Sequence, residues 1–182
     1  MSKIAITYGR FNPPTIAHEM LFKQLKNYSV DHSCDMKIYT SHSNDKNKNP
    51  LSIERKLYYL NEFFPEYEFV ATTKERPSIF NILTDLNLKY TEIVIFVGSD
   101  RKDKFEKDLN YYNKKEYNFN TIEVISIGNR EQVSNNIIET CSGTLVRNLV
   151  KQNDFNLFCN YIPTNNLKLK ILLWDELKNL MK

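Results

Sequence analysis

Short runs of β-branched and aromatic residues at 3–8, 36–41, 67–72, 92–97 and 121–127 alternate with helical spacing at 18–27, 51–63, 78–87 and 101–109. A strand followed by a helix and then another strand is a βαβ unit, and such units assemble into a parallel sheet flanked by helices. The expected fold class is therefore α/β. The first helical stretch brings Met20, Leu21, Leu25 and Tyr28 to one side. Ser142 to Lys151 reads as a further helix, and Leu167 to Met181 as a last one with Leu169, Leu172, Leu173, Leu177 and Leu180 available for docking. With 182 residues, no internal repeat and no linker composition, one domain spanning 1–182 is expected, its segment 151–182 a helical addition.

Composition excludes several classes. Hydrophobic residues make up 41% and charged residues 26%, the balance of a soluble globular chain rather than a fibrous or disordered one. Twenty-five Lys and Arg against 22 Asp and Glu leave +3, compatible with an anionic ligand and too weak to announce nucleic-acid binding. Cys34, Cys141 and Cys159 are odd in number and far apart, which fits a reducing compartment better than a disulfide framework or paired zinc ligands. The stretch Asp31-His32-Ser33-Cys34-Asp35 gathers ligand types but lacks paired spacing, so it reads as a polar loop. No apolar run approaches the ~20 residues that cross a bilayer, and the first residues run directly into Ile4-Ala5-Ile6 without a leader pattern. The expected setting is cytoplasmic, with no membrane partner.

Two segments carry chemistry. After the first strand comes Gly9-Arg10-Phe11-Asn12-Pro13-Pro14-Thr15-Ile16-Ala17-His18. Its prolines stiffen a loop that leads into a helix start. Thr15 and His18, three apart, share one face of the first turn beside backbone N–H groups that lack intrahelical acceptors. A phosphate there meets both the helix dipole and the side-chain donors. The plainer alternative is that Thr15 caps a helix and His18 is an ordinary first-turn residue. The second segment is Thr140-Cys141-Ser142-Gly143-Thr144-Leu145-Val146-Arg147, a helix start with two hydroxyls and a permanent cation one turn later. Its alternative is a Ser-capped helix with Arg147 in solvent. Glycine tolerates positive φ and close ligand approach, so Gly9 and Gly98 are expected to serve a ligand at strand ends, and Gly128 simply to break a strand.

The span Gly9 to His18 resembles the signature of the nucleotidyltransferase superfamily related to the class I aminoacyl-tRNA synthetase core. Ala17 stands where that family usually has glycine. The segment Thr140 to Arg147 is similar to the family's second motif, in the correct chain order, and Val97-Gly98-Ser99-Asp100 resembles a turn bordering the nucleotide in nicotinate or nicotinamide mononucleotide adenylyltransferases. For Ser99 and Asp100 two readings stay open: contact with a base or ribose, or capping of the helix that follows. Ser41 to Leu51 looks like the loop before the second helix in those enzymes; Lys46 and Lys48 there are either solvated or phosphate contacts. The resemblance covers roughly 3–150.

The resemblance implies a Rossmann-like fold and transfer of a nucleoside monophosphate from ATP or CTP to a phosphate-bearing acceptor such as nicotinamide mononucleotide, with release of pyrophosphate. It gives Thr15, His18 and Arg147 catalytic roles and assigns Gly9, Arg10, Phe11, Asn12, Gly98, Ser99, Asp100, Ser142, Gly143 and Thr144 to nucleotide binding. Mg²⁺ would arrive on the nucleotide phosphates, and no protein metal cage is expected. An adenylyltransferase is the leading expectation. A cytidylyltransferase acting on an alcohol phosphate is an alternative. So is a non-catalytic nucleotide or RNA-binding module using Lys102, Lys104, Lys107, Tyr111, Tyr112, Lys114, Lys115, Tyr117 and Phe119, although acidic residues interrupt that patch.

Overall fold

The computed structural model describes residues 2–128 and 141–182. Thr140, in the second motif, lies outside the described residues, as does the side chain of Asp100. Five parallel strands form one sheet: β1 (Lys3–Gly9), β2 (Asp35–Thr40), β3 (Phe69–Ala71), β4 (Glu92–Gly98) and β5 (Thr121–Ile127), in the order β3-β2-β1-β4-β5. Among the described residues seven helices accompany them: α1 (Ile16–Asp31), α2 (Ile53–Phe63), α3 (Ile79–Asn87), α4 (Lys102–Tyr112), α5 (Gly143–Gln152), α6 (Phe155–Tyr161) and α7 (Leu167–Leu180). A 3₁₀ turn, Ser99–Arg101, leads into α4. The architecture is the Rossmann-like α/β sheet expected from the alternation.

Both faces of the sheet are covered, which explains why its central strands read as continuous apolar runs. Along β4, Val94 and Phe96 join one core with Leu60 of α2, Leu149 of α5 and Trp174 of α7; Ile93, Ile95 and Val97 join the other with Leu83 of α3 and Leu109 of α4. The chain winds from β1 outward to β2 and β3, then returns to the other side of β1 for β4 and β5. The carboxyl ends of β1 and β4 thus flank the point where winding reverses, the crevice in which open α/β sheets bind ligands.

Two elements differ from the expectation. β3 is only three residues long. The short helix α6 was not expected, although Asp154 caps it by accepting from the Leu157 N–H at 3.0 Å. The final helix docks through Leu173, Trp174 and Leu177, and Glu176 receives both the Arg55 guanidinium, at 2.8–3.0 Å, and the Tyr59 hydroxyl, at 2.7 Å. The segment Asp31 to Asp35 is indeed a connection: α1 ends at Asp31, Ser33 is left-handed at φ 48°, and β2 begins at Asp35. Among the described residues no helix is long and apolar enough to cross a membrane.

Candidate active site

The loop after β1 is organised around an aromatic ring. Phe11 adopts a left-handed φ of 44° and turns its ring back under Gly9, where a Cβ would meet ring carbons at 2.5 and 2.6 Å. Glycine is required at position 9 for that clearance, not for a positive φ; Gly128 is the glycine that has one, at 79°. The Phe11 ring is buried edge-on against Phe22 and against the His18 imidazole, centroids 5.2 and 4.9 Å apart. A β-strand, a tight turn and a buried ring together set the plane of His18.

Thr15 is the N-cap of α1 and wholly buried. Its backbone N–H donates to His18 Nδ1 at 3.0 Å, with Thr15 Oγ1 3.1 Å from the same nitrogen. A ring nitrogen that accepts from a backbone N–H carries a lone pair, so the neutral imidazole bears its proton on Nε2. His18 is thereby a donor on its outer edge, beside the first-turn N–H groups of α1. Ala17 is partly buried and packs against the core.

The second motif comes to the same place. Ser142 caps α5, its hydroxyl accepting from the Leu145 N–H at 3.1 Å. The Arg147 side chain does not extend into solvent: it is 7% exposed, donates from Nη2 to Thr144 Oγ1 at 3.0 Å, and from Nη1 to the Asn12 carbonyl at 2.7 Å. Residues 135 apart in sequence are joined by that last bond. Gly143 permits the approach, since a Cβ there would lie 3.2 Å from Arg147 Nη1 and 3.3 Å from the Asn12 carbonyl oxygen. Burial and the nearby Arg10 push the Arg147 guanidinium below its ordinary pKa, Asp45 opposing them. A guanidinium stays charged under such shifts.

Asn12 holds the arrangement together. Its Nδ2 donates to the Leu51 carbonyl at 3.0 Å and its Oδ1 accepts from the Leu51 N–H at 3.1 Å, so the amide is spent on the loop before α2. It thereby links the loop after β1 to the approach to α2 and, through its carbonyl, to Arg147. The loop itself is turned by Asp45, whose Oδ1 accepts from the backbone N–H groups of Asn47 and Lys48 at 2.9 and 2.7 Å. Lys46 and Lys48 are exposed on it. Gly98 and Ser99 stand at the end of β4, beside β1, with an ordinary φ of −66° at Gly98.

One residue the sequence reading passed over is Lys56. It falls on the buried face of α2 with Tyr59, Leu60 and Phe63, at spacing i, i+3, i+4 and i+7, and a lysine in that series was the available signal. Its ammonium donates to the Ser41 carbonyl. Burial, with Arg10 adding repulsion, pushes its pKa down to about 8. The structure also corrects the aromatic RNA patch, because Tyr117 and Phe119 are buried in the core and Tyr112 packs on Phe80. Among the described residues no group of three His, Cys, Asp or Glu could hold a metal ion.

Neither a family model nor a curated protein matches the chain. Solved structures do. A Vibrio parahaemolyticus protein assigned as a nicotinate-nucleotide adenylyltransferase superposes with a TM-score of 0.60 at 18% identity, over 95% of this chain and 99% of its own. The nicotinic acid mononucleotide adenylyltransferase of Plasmodium falciparum, complexed with NaAD, gives 0.62 at 18% identity over 96% and 98%. The chain shares their fold over nearly its full length.

Proposed function

We propose that the protein is a mononucleotide adenylyltransferase. An acceptor phosphate oxygen attacks the α-phosphorus of ATP, the bond from that phosphorus to the β-bridging oxygen breaks, and pyrophosphate leaves. The observation that carries this reading is the buried Arg147 guanidinium, bonded to the loop that presents Thr15 and His18. An enclosed cation with neutral partners, facing a helix N-terminus, is a receptor for a polyphosphate. The chemistry asks for positioning and for stabilisation of charge on oxygen, and needs no nucleophilic side chain.

In this reading His18 donates from Nε2 to a non-bridging oxygen of the α-phosphate, with Thr15 fixing its tautomer. Arg147 and Thr144 take the departing β and γ groups, and Ser142 and Gly143 shape the helix start around them. Gly98, Ser99 and Asp100 border the nucleoside. The donor set is cationic and hydroxylic, so Mg²⁺ fits here on the phosphates rather than in a cage of side chains; when bound it neutralises charge on the leaving group. The fold likeness to two proteins named as adenylyltransferases of nicotinate mononucleotide, one complexed with NaAD, supports a pyridine mononucleotide as acceptor, and ATP is the donor in this reading.

The test is pyrophosphate release with ATP and with CTP against nicotinate mononucleotide, nicotinamide mononucleotide and a set of alcohol phosphates. Turnover with ATP and a pyridine mononucleotide is expected. Turnover confined to CTP and an alcohol phosphate, or to none of the pairs, overturns the reading.

A further inference from the structure

Lys56 is enclosed at 0% exposure, yet its ammonium has one acceptor among the described residues, the Ser41 carbonyl, leaving two of three N–H groups without one. Among the described residues no carboxylate is bonded to it, and the charged group acting on it is another cation, Arg10. One residue before Ser41, at the carboxyl end of β2, the buried hydroxyl of Thr40 has no hydrogen-bond partner among the described residues. Thr40 shares the strand face of Ile38, the face that packs with α2. Gly9 and Thr40 are paired across β1 and β2, so Arg10 and Ser41 leave neighbouring strand ends side by side.

A buried cation without a counter-charge costs several kcal/mol of desolvation, and a second cation nearby adds to the cost. Buried donors left unmade add more. Such an arrangement is balanced when a dianion arrives with a ligand. Arg147 already faces the loop that holds the triphosphate motif, and Lys56 lies under the next strand end. We infer that Lys56, Thr40 and Arg10 form a second anion subsite, which takes the phosphate monoester of the acceptor while Arg147 and His18 hold the triphosphate; the identity of that ligand rests on the proposed function. Arg10, exposed, is the rim of this subsite, and Lys56 and Thr40 are its floor.

The experiment compares wild type with Lys56→Met, which keeps the aliphatic stem, and with Lys56→Arg, which restores a charge. Calorimetric titrations use nicotinate mononucleotide, its dephosphorylated riboside, and ATP. Wild type is expected to prefer the mononucleotide over the riboside by about thirtyfold, the scale of charge-assisted hydrogen bonds. Lys56→Met should reduce that preference to about threefold or less while ATP affinity stays within about twofold, and Lys56→Arg should recover part of it. An unchanged preference in Lys56→Met overturns the inference, as does an equal fall in affinity for ATP and mononucleotide. Should Lys56→Met not fold, Thr40→Val removes the hydroxyl at constant shape and is expected to cut the preference about threefold; no cut overturns the subsite. If wild type binds neither pyridine compound, the acceptor reading fails by itself, and inorganic phosphate then decides the subsite: binding lost in either variant supports it, and equal binding overturns it.

Discussion

The two faces of the sheet are built from different materials. On the side of α3 and α4, the buried helical residues Ile79, Ile82, Leu83, Leu86 and Leu109 are all aliphatic. On the side of α1, α2 and α5, the buried helical residues include Ser29, Lys56 and Arg147. Burying a lysine and an arginine opposes folding, whereas aliphatic layers drive it. Both layers bury apolar side chains, but only in the layer of α1, α2 and α5 do described helices also bury cations, at a cost in stability.

Substitutions on each face break that contrast if they act alike. The largest effect is expected from His18→Ala, with kcat lowered by about two orders of magnitude or more while the thermal midpoint stays within a few degrees, read by steady-state kinetics beside calorimetry. Undiminished turnover would remove His18 from the chemistry. On the opposite face, Leu83→Ala should destabilise by roughly 2–4 kcal/mol in urea titration and leave kcat per folded molecule unchanged. Arg147→Lys tests whether the guanidinium fork matters. An ammonium cannot span Asn12 and Thr144 as the fork does, so a loss of about tenfold or more in kcat/KM is expected.

The smallest effect is a pH dependence. Lys56 titrates near 8 when folded against an ordinary 10.5, so between those values the unfolded chain binds more protons and stability rises with pH. Its penalty is fully present below about 8 and is relieved on the way to 10.5. The difference in stability between Lys56→Met and wild type should therefore shift in favour of wild type across that window, by roughly 2–3 kcal/mol at most. A difference independent of pH would mean that Lys56 is not held as a desolvated cation.

The central strands β1 and β4 were readable because their side chains are buried on both faces, and the two motifs through their resemblance to a known signature, each alone being compatible with an ordinary capped helix. α6 escaped because seven residues hold too few turns to show a period, leaving only the Asp154 cap as a sign. The role of Asn12 was illegible for another reason: its partners, Leu51 and Arg147, are 39 and 135 residues away. At Gly9 the folded loop adds a reason that the sequence does not show, the Phe11 ring beneath it. Lys56 was visible as a charge in an apolar series and was passed over as part of an ordinary helix.

The clamp at Asn12 bears on the order in which the molecule is assembled. One side chain grips the approach to α2 while its own carbonyl receives a guanidinium from near the far end of the chain, so early and late segments are fastened through a single keystone. During synthesis the first motif emerges long before the second. A prematurely terminated chain that lacks α5 therefore lacks the guanidinium that the Asn12 carbonyl receives, and its loop after β1 goes without that brace.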